Sequence, residues 1–220
     1  MLQASTLEFL RLLKLNNNRE WFNANKPAYE QAKEDVEQFV AKLIPRLAKF
    51  DPSVGQLKAK DCLFRIYRDV RFSPNKEPYK TNMGACITGG GKKSMDCGYY
   101  LHIEPEDQIF LGGGSYVPPS PQLKMIRQEI DYHTPEFLAI LQHPDFVKQF
   151  GQLDDYKLKT APKGYPKDHP YLHLLQYTSY VASRMFTNAQ ITQPDFLDQI
   201  EASCKALKPL NDFLNRAMKA

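Results

Sequence analysis

The sequence predicts an α+β fold in which an antiparallel β-sheet of about four or five strands is covered by N- and C-terminal helices. Apolar residues recur at helical spacing near both ends, while short β-branched or aromatic runs, separated by turn residues, fill the middle. Strands so close in sequence must be antiparallel, because a parallel crossover needs about a dozen residues or more. We expect one domain over 1–220, with a helical part at 1–56, a β-meander at 57–117 and a mainly helical part at 118–220.

The N-terminal part carries two helical patterns. Apolar residues within 9–13 predict a first helix, and Asn18 is a suitable N-cap for the turn that follows. From Pro27 onward, apolar residues recur at intervals of three and four. This spacing predicts a long amphipathic helix that ends or kinks at Pro45.

The middle of the chain changes from helical to strand periodicity. The predicted strands are Leu63–Phe72, Gly84–Thr88, Tyr99–Glu104 and Gln108–Gly112. Beyond them, Ser120-Pro121 and Thr134-Pro135 predict helix starts, and Ser179–Phe186 predicts an additional strand. A final helix begins near Phe196 and is expected to kink or divide at Pro209.

Composition restricts the function classes. A net charge of +4 over 220 residues is too weak to imply nucleic-acid binding by itself. Four cysteines without Cys-x-x-Cys spacing predict reduced thiols in a cytoplasmic protein. No apolar run approaches the roughly 20 residues that span a bilayer, so we expect no membrane partner. No residue pattern predicts a metal site or a cofactor; His169 and His173 stand four apart, but Pro170 lies between them.

Residues 64–82 are the most informative segment. They hold five cations and two anions, an excess of three, although the whole chain carries only +4. The cations are Arg65, Arg68, Arg71, Lys76 and Lys80, and the anions are Asp69 and Glu77. Aromatic residues are interleaved with these cations. A positively charged segment of this kind predicts a site that binds an anion.

Arg68 stands out within the predicted strand Leu63–Phe72. In a regular strand it would share an otherwise apolar face with Ile66 and Val70. An isolated buried charge costs several kcal/mol, so this guanidinium must meet a carboxylate, carbonyl groups or a bound anion, unless a bulge turns it outward. Two interpretations stay open, a structural ion pair or bulge and a ligand-facing arginine.

The residues after this strand predict a loop, because two prolines in five residues exclude helix and central strand. The loop would project Ser73, Lys76, Tyr79 and Lys80 beside Arg71. Such cations and hydroxyl groups suit a phosphate or a carboxylate, and the alternative is a solvated basic loop. Asp69 is the only candidate for a general base in the segment.

A second set of candidates lies further along the chain. The glycines Gly112, Gly113 and Gly114 would allow backbone amides to approach a ligand and could form an opposite wall. Their alternative is a sharp turn or bulge. Arg127 borders the buried stripe of its predicted helix, and its alternative is an arginine at the rim of the core.

Six passages spread along essentially the whole chain together resemble one family. They are Asn17–Phe22, Phe64–Ser73, Pro78–Lys80, Tyr100–His102, Gly112–Gly114 and Pro162–Tyr165. The family is a widespread group of conserved hypothetical proteins, known as a domain of unknown function. The resemblance implies a single α+β domain and supplies no activity, cofactor or catalytic residue. Family sequences often have Asp-Lys before Pro-Tyr-Lys, whereas this chain has Asn75-Lys76, which removes a carboxylate.

Three functions are compatible with these patterns. The leading hypothesis is a cytoplasmic protein that binds a phosphate- or carboxylate-bearing small molecule at a basic cleft, with catalysis left open. The first alternative is a nucleic-acid-binding module, because basic and aromatic residues alternate. The second is a protein-interaction domain that uses the basic segment as its docking patch.

Overall fold

The computed structural model describes residues 1–219 and confirms the α+β prediction, with helices and one open, four-stranded antiparallel sheet. The strands are β1 (Met83–Ile87), β2 (Gly98–Ile103), β3 (Ile109–Ser115) and β4 (Tyr180–Phe186). Their order in the sheet is β1-β2-β3-β4, so neighbours in sequence are neighbours in space. The additional strand predicted at Ser179–Phe186 is therefore confirmed as β4.

Ten α-helices occur in residues 1–219. They are α1 (Ala4–Leu15), α2 (Arg19–Ala24), α3 (Lys26–Leu47), α4 (Ala59–Cys62), α5 (Ser120–Tyr132), α6 (Thr134–Gln142), α7 (Pro144–Phe150), α8 (Leu172–Leu175), α9 (Asn188–Ile191) and α10 (Phe196–Lys219). A 3₁₀ turn at Pro52–Val54 separates α3 from α4. Helix α3 ends two residues after Pro45, close to the prediction, whereas α10 continues through Pro209 without dividing.

The chain forms two compact units. The first contains Met1–Ser94, Tyr100–Leu111 and Met185–Ala202. The second contains Met95–Tyr99, Gly112–Arg184 and the chain from Ser203 onward. The predicted single domain stays a prediction.

The core of the first unit forms around α3. The apolar face of this helix is buried and packs against α1 and β1, as its periodicity predicts. Asn18 caps α2, because its side-chain oxygen accepts a hydrogen bond from the Trp21 amide at 2.9 Å. In β1, Met83, Ala85 and Ile87 are buried at every second position, which fixes the outward face of the strand.

The predicted strand Leu63–Phe72 is wrong. Residues 63–82, called the loop segment below, make only two isolated bridges, Leu63 to Ala85 and Tyr67 to Tyr79. Pro74 and Pro78 lie in the returning half of the segment and cannot donate to a ladder, so pairing stops after a single bridge. The proposed apolar face does not exist either, because Ile66 is buried while Phe72 is 95% exposed.

A candidate anion-binding cleft

The loop segment folds back on itself like an irregular hairpin. The Arg68 amide donates to the Pro78 carbonyl at 2.9 Å, and the Lys80 amide donates to the Ile66 carbonyl at 2.8 Å. At its base, the Phe64 amide donates to the Gly84 carbonyl at 2.9 Å, which joins the segment to β1. These bonds hold residues 64–66 beside residues 82–84 and create one wall of a cleft.

This cleft has a volume of about 230 Å³ and lies within the first unit. Helices α3 and α4 supply the other walls, together with the turn that follows β1. Tyr29 and Phe64 give it aromatic surface, and Asn82 gives it a side-chain amide. It is therefore a concave site with apolar walls and a few polar groups, as expected for a small ligand.

Four cations line the cleft, from four separate parts of the chain. They are Lys33 of α3, Lys60 of α4, Arg65 of the loop segment and Lys92 of the turn after β1. None of the eleven lining residues, all within the described residues 1–219, is acidic. Four positive charges around one concavity without a carboxylate attract an anion.

Most of the cleft cations form no ion pair with another residue among residues 1–219. Over residues 1–219, no ion pair involves Lys33, Lys60 or Arg65. Lys92 donates to the Leu63 carbonyl at 2.8 Å, which orients its ammonium without neutralising it. Solvated cations are ordinary on a surface; it is their convergence on one concave surface that distinguishes these.

Lys80 adds a further positive charge beside Arg65. Its ammonium lies 5.4 Å from the centre of the Phe64 ring, a cation–π contact at the edge of the cleft. Burial lowers the pKa of Lys80, and the charge of Arg65 lowers it further. A partly buried ammonium that is repelled by a guanidinium would be relieved by a bound anion.

Four other predicted residues lie at the tip of the loop segment, outside the cleft lining: Arg68, Arg71, Ser73 and Lys76. The guanidinium of Arg68 lies 3.5 Å from a Glu77 oxygen and 3.4 Å from the Ser73 hydroxyl, with its side chain 25% exposed. Lys76 donates to the Val70 carbonyl at 3.1 Å. Arg68 is thus neither free in solvent nor deeply buried, and it shares its charge with a carboxylate.

Arg71 and Asp69 form an exposed pair at the same tip. The guanidinium donates to both carboxylate oxygens of Asp69, at 2.9 and 2.6 Å. The bonds from Arg71 lower the pKa of Asp69. This carboxylate is engaged by its neighbour, and a general-base role for it rests on the sequence alone.

Tyr79 anchors the loop segment. Its ring is buried and stacks on Phe22 with centroids 3.9 Å apart. The side chain of Asn17 holds its backbone at two points, accepting from the Tyr79 amide at 3.1 Å and donating to the Tyr79 carbonyl at 3.0 Å. Tyr79 therefore positions its neighbour Lys80 through the backbone.

Gly112, Gly113, Gly114 and Arg127 lie in the second unit, and Gly112 is a buried residue of β3. A Cβ on Gly114 would lie 2.1 Å from the Tyr180 carbonyl oxygen, and its φ of 109° favours glycine. Arg127 donates to the carbonyl oxygens of Leu175 and Tyr177, at 2.7 and 2.8 Å. These contacts give the glycine and the arginine structural roles.

Sequence patterns missed three of the four lining cations and Asn82. Lys33 and Lys60 are exposed residues of helices, and Lys92 lies in a turn, so each looks ordinary in its local sequence. Burial raises the pKa of Cys62 to about 11 and that of Cys97 to about 12, which disfavours the thiolate at these two positions. No group of three or more potential metal-ligating side chains occurs among residues 1–219.

Comparison with known proteins gives one match. The model of a family described as "Conserved hypothetical protein (DUF2461)" matches residues 5–213. No curated protein and no solved structure matches this chain. None of the helices found in residues 1–219 combines the length and the apolar character needed to cross a membrane.

Proposed function

Since the chain belongs to the DUF2461 family of conserved hypothetical proteins, whose description names no activity, we propose a function from the cleft itself. The protein binds a small anionic molecule that bears a phosphate or carboxylate group. The observation that carries the proposal is the set of four cations around a cleft of about 230 Å³ without an acidic lining residue. We also place this function in the cytoplasm, in keeping with four cysteines that form no disulfide among residues 1–219.

The charge arrangement favours a multiply charged ligand. The charge of Arg65 lowers the pKa of Lys80, so the two cations repel each other at the edge of the cleft, and a bound anion would relieve this repulsion. Arg65 supplies a planar fork suited to two oxygen atoms, while the lysines act as point charges. A phosphate ester or a dicarboxylate satisfies both kinds of donor.

The size and the walls of the cleft favour a small ligand with a compact organic part. Its volume lies at or below the low end of typical ligand sites, which span roughly 300–1,000 Å³. Tyr29 and Phe64 would contact the apolar part of the ligand, and Asn82 can both donate and accept a hydrogen bond.

Calorimetric titration with phosphate, sulfate and citrate tests the proposal. We expect at least one of these anions to bind, and Arg65→Ala or Lys60→Ala to weaken that binding by about tenfold or more, since each removes a direct charge contact. Arg71→Ala is the matched control, because it removes a loop-segment cation outside the lining and should leave the affinity within about twofold. Equal losses in all three variants would assign binding to the net charge of the surface and contradict the cleft.

A second candidate function is supported by the exposed rings of the loop segment. Phe64, Tyr67 and Phe72 are 41%, 48% and 95% exposed and alternate with cations, an arrangement that suits stacking on single-stranded nucleic acid. Fluorescence anisotropy with a labelled single-stranded RNA distinguishes the two functions. Affinity that falls steeply with salt and weakens after Phe72→Ala supports the nucleic-acid module, whereas RNA affinity that is absent or nearly independent of salt removes it and leaves the small anion.

A further inference from the structure

A chain of polar side chains lies on β2 directly behind the cleft wall. Tyr100 and His102 alternate along the strand and share one face, and Glu104, the residue that follows β2, continues the alternation. The Tyr100 hydroxyl lies 3.2 Å from His102 Nδ1, and His102 Nε2 lies 3.1 Å from a Glu104 oxygen. The His102 ring stacks on Phe110 of β3 at 4.8 Å, which fixes its plane. We call these three hydrogen-bonded residues the β2 relay.

Glu104 determines which imidazole nitrogen carries the proton. Burial raises the pKa of Glu104, but hydrogen bonds from Thr81 and His102 outweigh it, so the pKa is lowered. The ionised carboxylate can only accept hydrogen bonds, and it accepts from the Thr81 hydroxyl at 2.7 Å. Nε2 of His102 therefore carries a proton, and in the neutral ring Nδ1 is the acceptor.

The acceptor nitrogen faces groups that belong to the cleft. Asn82, a lining residue, has its side-chain nitrogen 3.3 Å from His102 Nδ1. Gly84, also a lining residue, has no side chain, and a Cβ there would lie 2.7 Å from the Tyr100 hydroxyl. The Tyr100 hydroxyl thus lies against the cleft wall at its glycine, and burial raises its pKa so that it stays protonated.

We infer that Tyr100 is a ligand-binding residue of the cleft whose hydrogen-bond direction is set by the protonation of His102. When His102 is neutral, Tyr100 donates to Nδ1 and offers its oxygen to a ligand hydroxyl. When His102 is protonated, Nδ1 donates a hydrogen bond to the Tyr100 oxygen. The O–H group of Tyr100 can then donate to a phosphate or carboxylate oxygen of the ligand. This inference rests on the proposed function and adds that Tyr100 donates a hydrogen bond to the anionic group of the ligand when His102 is protonated.

The other groups around His102 would not produce the same change in the hydrogen-bond direction of Tyr100. Thr81 and Asn82 precede β1 and are neutral, and Phe110 is apolar. The charged neighbour of Glu104 is Lys14 of α1, which forms its own ion pair with Glu106 at 2.6 Å. Cys86 of β1 is among the groups that raise the pKa of Tyr100. Burial raises the pKa of Cys86 itself, so it stays a neutral thiol.

Sulfate is the probe for the test, because its charge is constant across the range in which histidine titrates. In the intact protein we expect sulfate to bind about threefold more tightly near pH 5.5 than near pH 8, by the reciprocity of coupled binding. Tyr100→Phe and His102→Gln should each remove most of this ratio. His173→Gln, at an exposed histidine of α8, is the control and should retain the ratio.

The outcomes separate the inference from the proposed function. Sulfate binding with no pH ratio, or with a ratio that survives Tyr100→Phe, overturns the inference and leaves the proposed function intact. No sulfate binding at either pH overturns the inference, and the proposed function falls with it only if phosphate and citrate also fail to bind. Nitrogen-15 spectra of the free protein provide a readout that needs no ligand: a proton on Nε2 of neutral His102 supports the relay, and a proton on Nδ1 overturns it.

Discussion

Positive charge is handled differently at two sites of the molecule, one in each unit. In the second unit, Arg216 donates to Glu129 at 2.8 Å and to both oxygens of Glu136 at 2.9 and 2.7 Å. In the first unit, Lys33, Lys60 and Arg65 line a cleft without any acidic residue. The Arg216 cluster, meaning Arg216 with Glu129 and Glu136, satisfies its charge inside the fold, whereas the cleft leaves its charge available. On this difference we assign the Arg216 cluster to stability and propose the cleft cations for binding.

The largest effect is expected from placing an acid in the cleft. Asn82→Asp keeps the shape of the side chain and adds a carboxylate among the lining cations. We expect anion affinity to fall by about 30-fold or more, because the new charge competes with the ligand and repels it. Calorimetric titration with sulfate measures the change. Asn82→Ala is the control, since it removes the amide without adding charge, and losses of similar size in both variants would contradict the electrostatic explanation.

Removing Arg216 should lower the stability of the protein and leave anion binding unchanged. Arg216→Ala leaves two carboxylates without their partner, one of them on Glu129, whose side chain is only 14% exposed. Because Arg216 itself is half-exposed, we expect a destabilisation of only about 1 kcal/mol, with unchanged anion affinity. Denaturant unfolding and sulfate titration give the two values. A loss of anion affinity in this variant would show that the two regions do not differ as described.

Acid should remove part of the stability of the Arg216 cluster. The bonds from Arg216 lower the pKa of Glu136 below its ordinary value of 4.5. The folded state therefore binds this proton less tightly than the unfolded state, so the stabilisation is present above pH 4.5 and is lost as pH falls through the folded pKa. Unfolding followed from neutral to acidic pH should show the wild-type advantage over Arg216→Ala shrinking below that value. A constant difference across the range would exclude Glu136 as its source.

The smallest effect concerns Lys80, at the edge of the cleft. Its pKa is lowered, so the folded state holds this proton less tightly than the unfolded state, and stability rises with pH in the window below its ordinary value of 10.5. We expect Lys80→Met to raise stability at neutral pH by a few tenths of a kcal/mol and to weaken anion binding. Thermal unfolding at neutral pH and near pH 10 measures the first effect. Lys80→Arg, which keeps the charge, should not stabilise, and a gain equal to that of Lys80→Met would refute the repulsion.

Local signals in the sequence predicted much of the fold. The cap at Asn18, the long amphipathic pattern of α3 and the fourth strand follow from short-range chemistry, and the structure has all three. The strand prediction fails in the loop segment because its strand-like first half lacks a partner with which it can pair. The returning half contains Pro74 and Pro78, and propensity within Leu63–Phe72 carries no information about that half.

The cleft could be located only in part. Arg65 was expected as a site residue because the basic segment is dense in charge. Lys33 and Lys60 are brought to it by the packing of α3 and α4, and Lys92 by a turn. Residues so far apart in sequence share no local motif, and a lysine on a helix surface has no feature that marks it as a site residue.

The two-point contact between Asn17 and Tyr79 has a consequence for protein engineering. The amide of Asn17 replaces the neighbouring strand that this backbone lacks, so one side chain supplies what a ladder normally would. A designer who transplants the loop segment into another scaffold must therefore also transfer a side chain that makes equivalent hydrogen bonds. Without it, the transplanted segment would keep its functional groups but lose its backbone conformation.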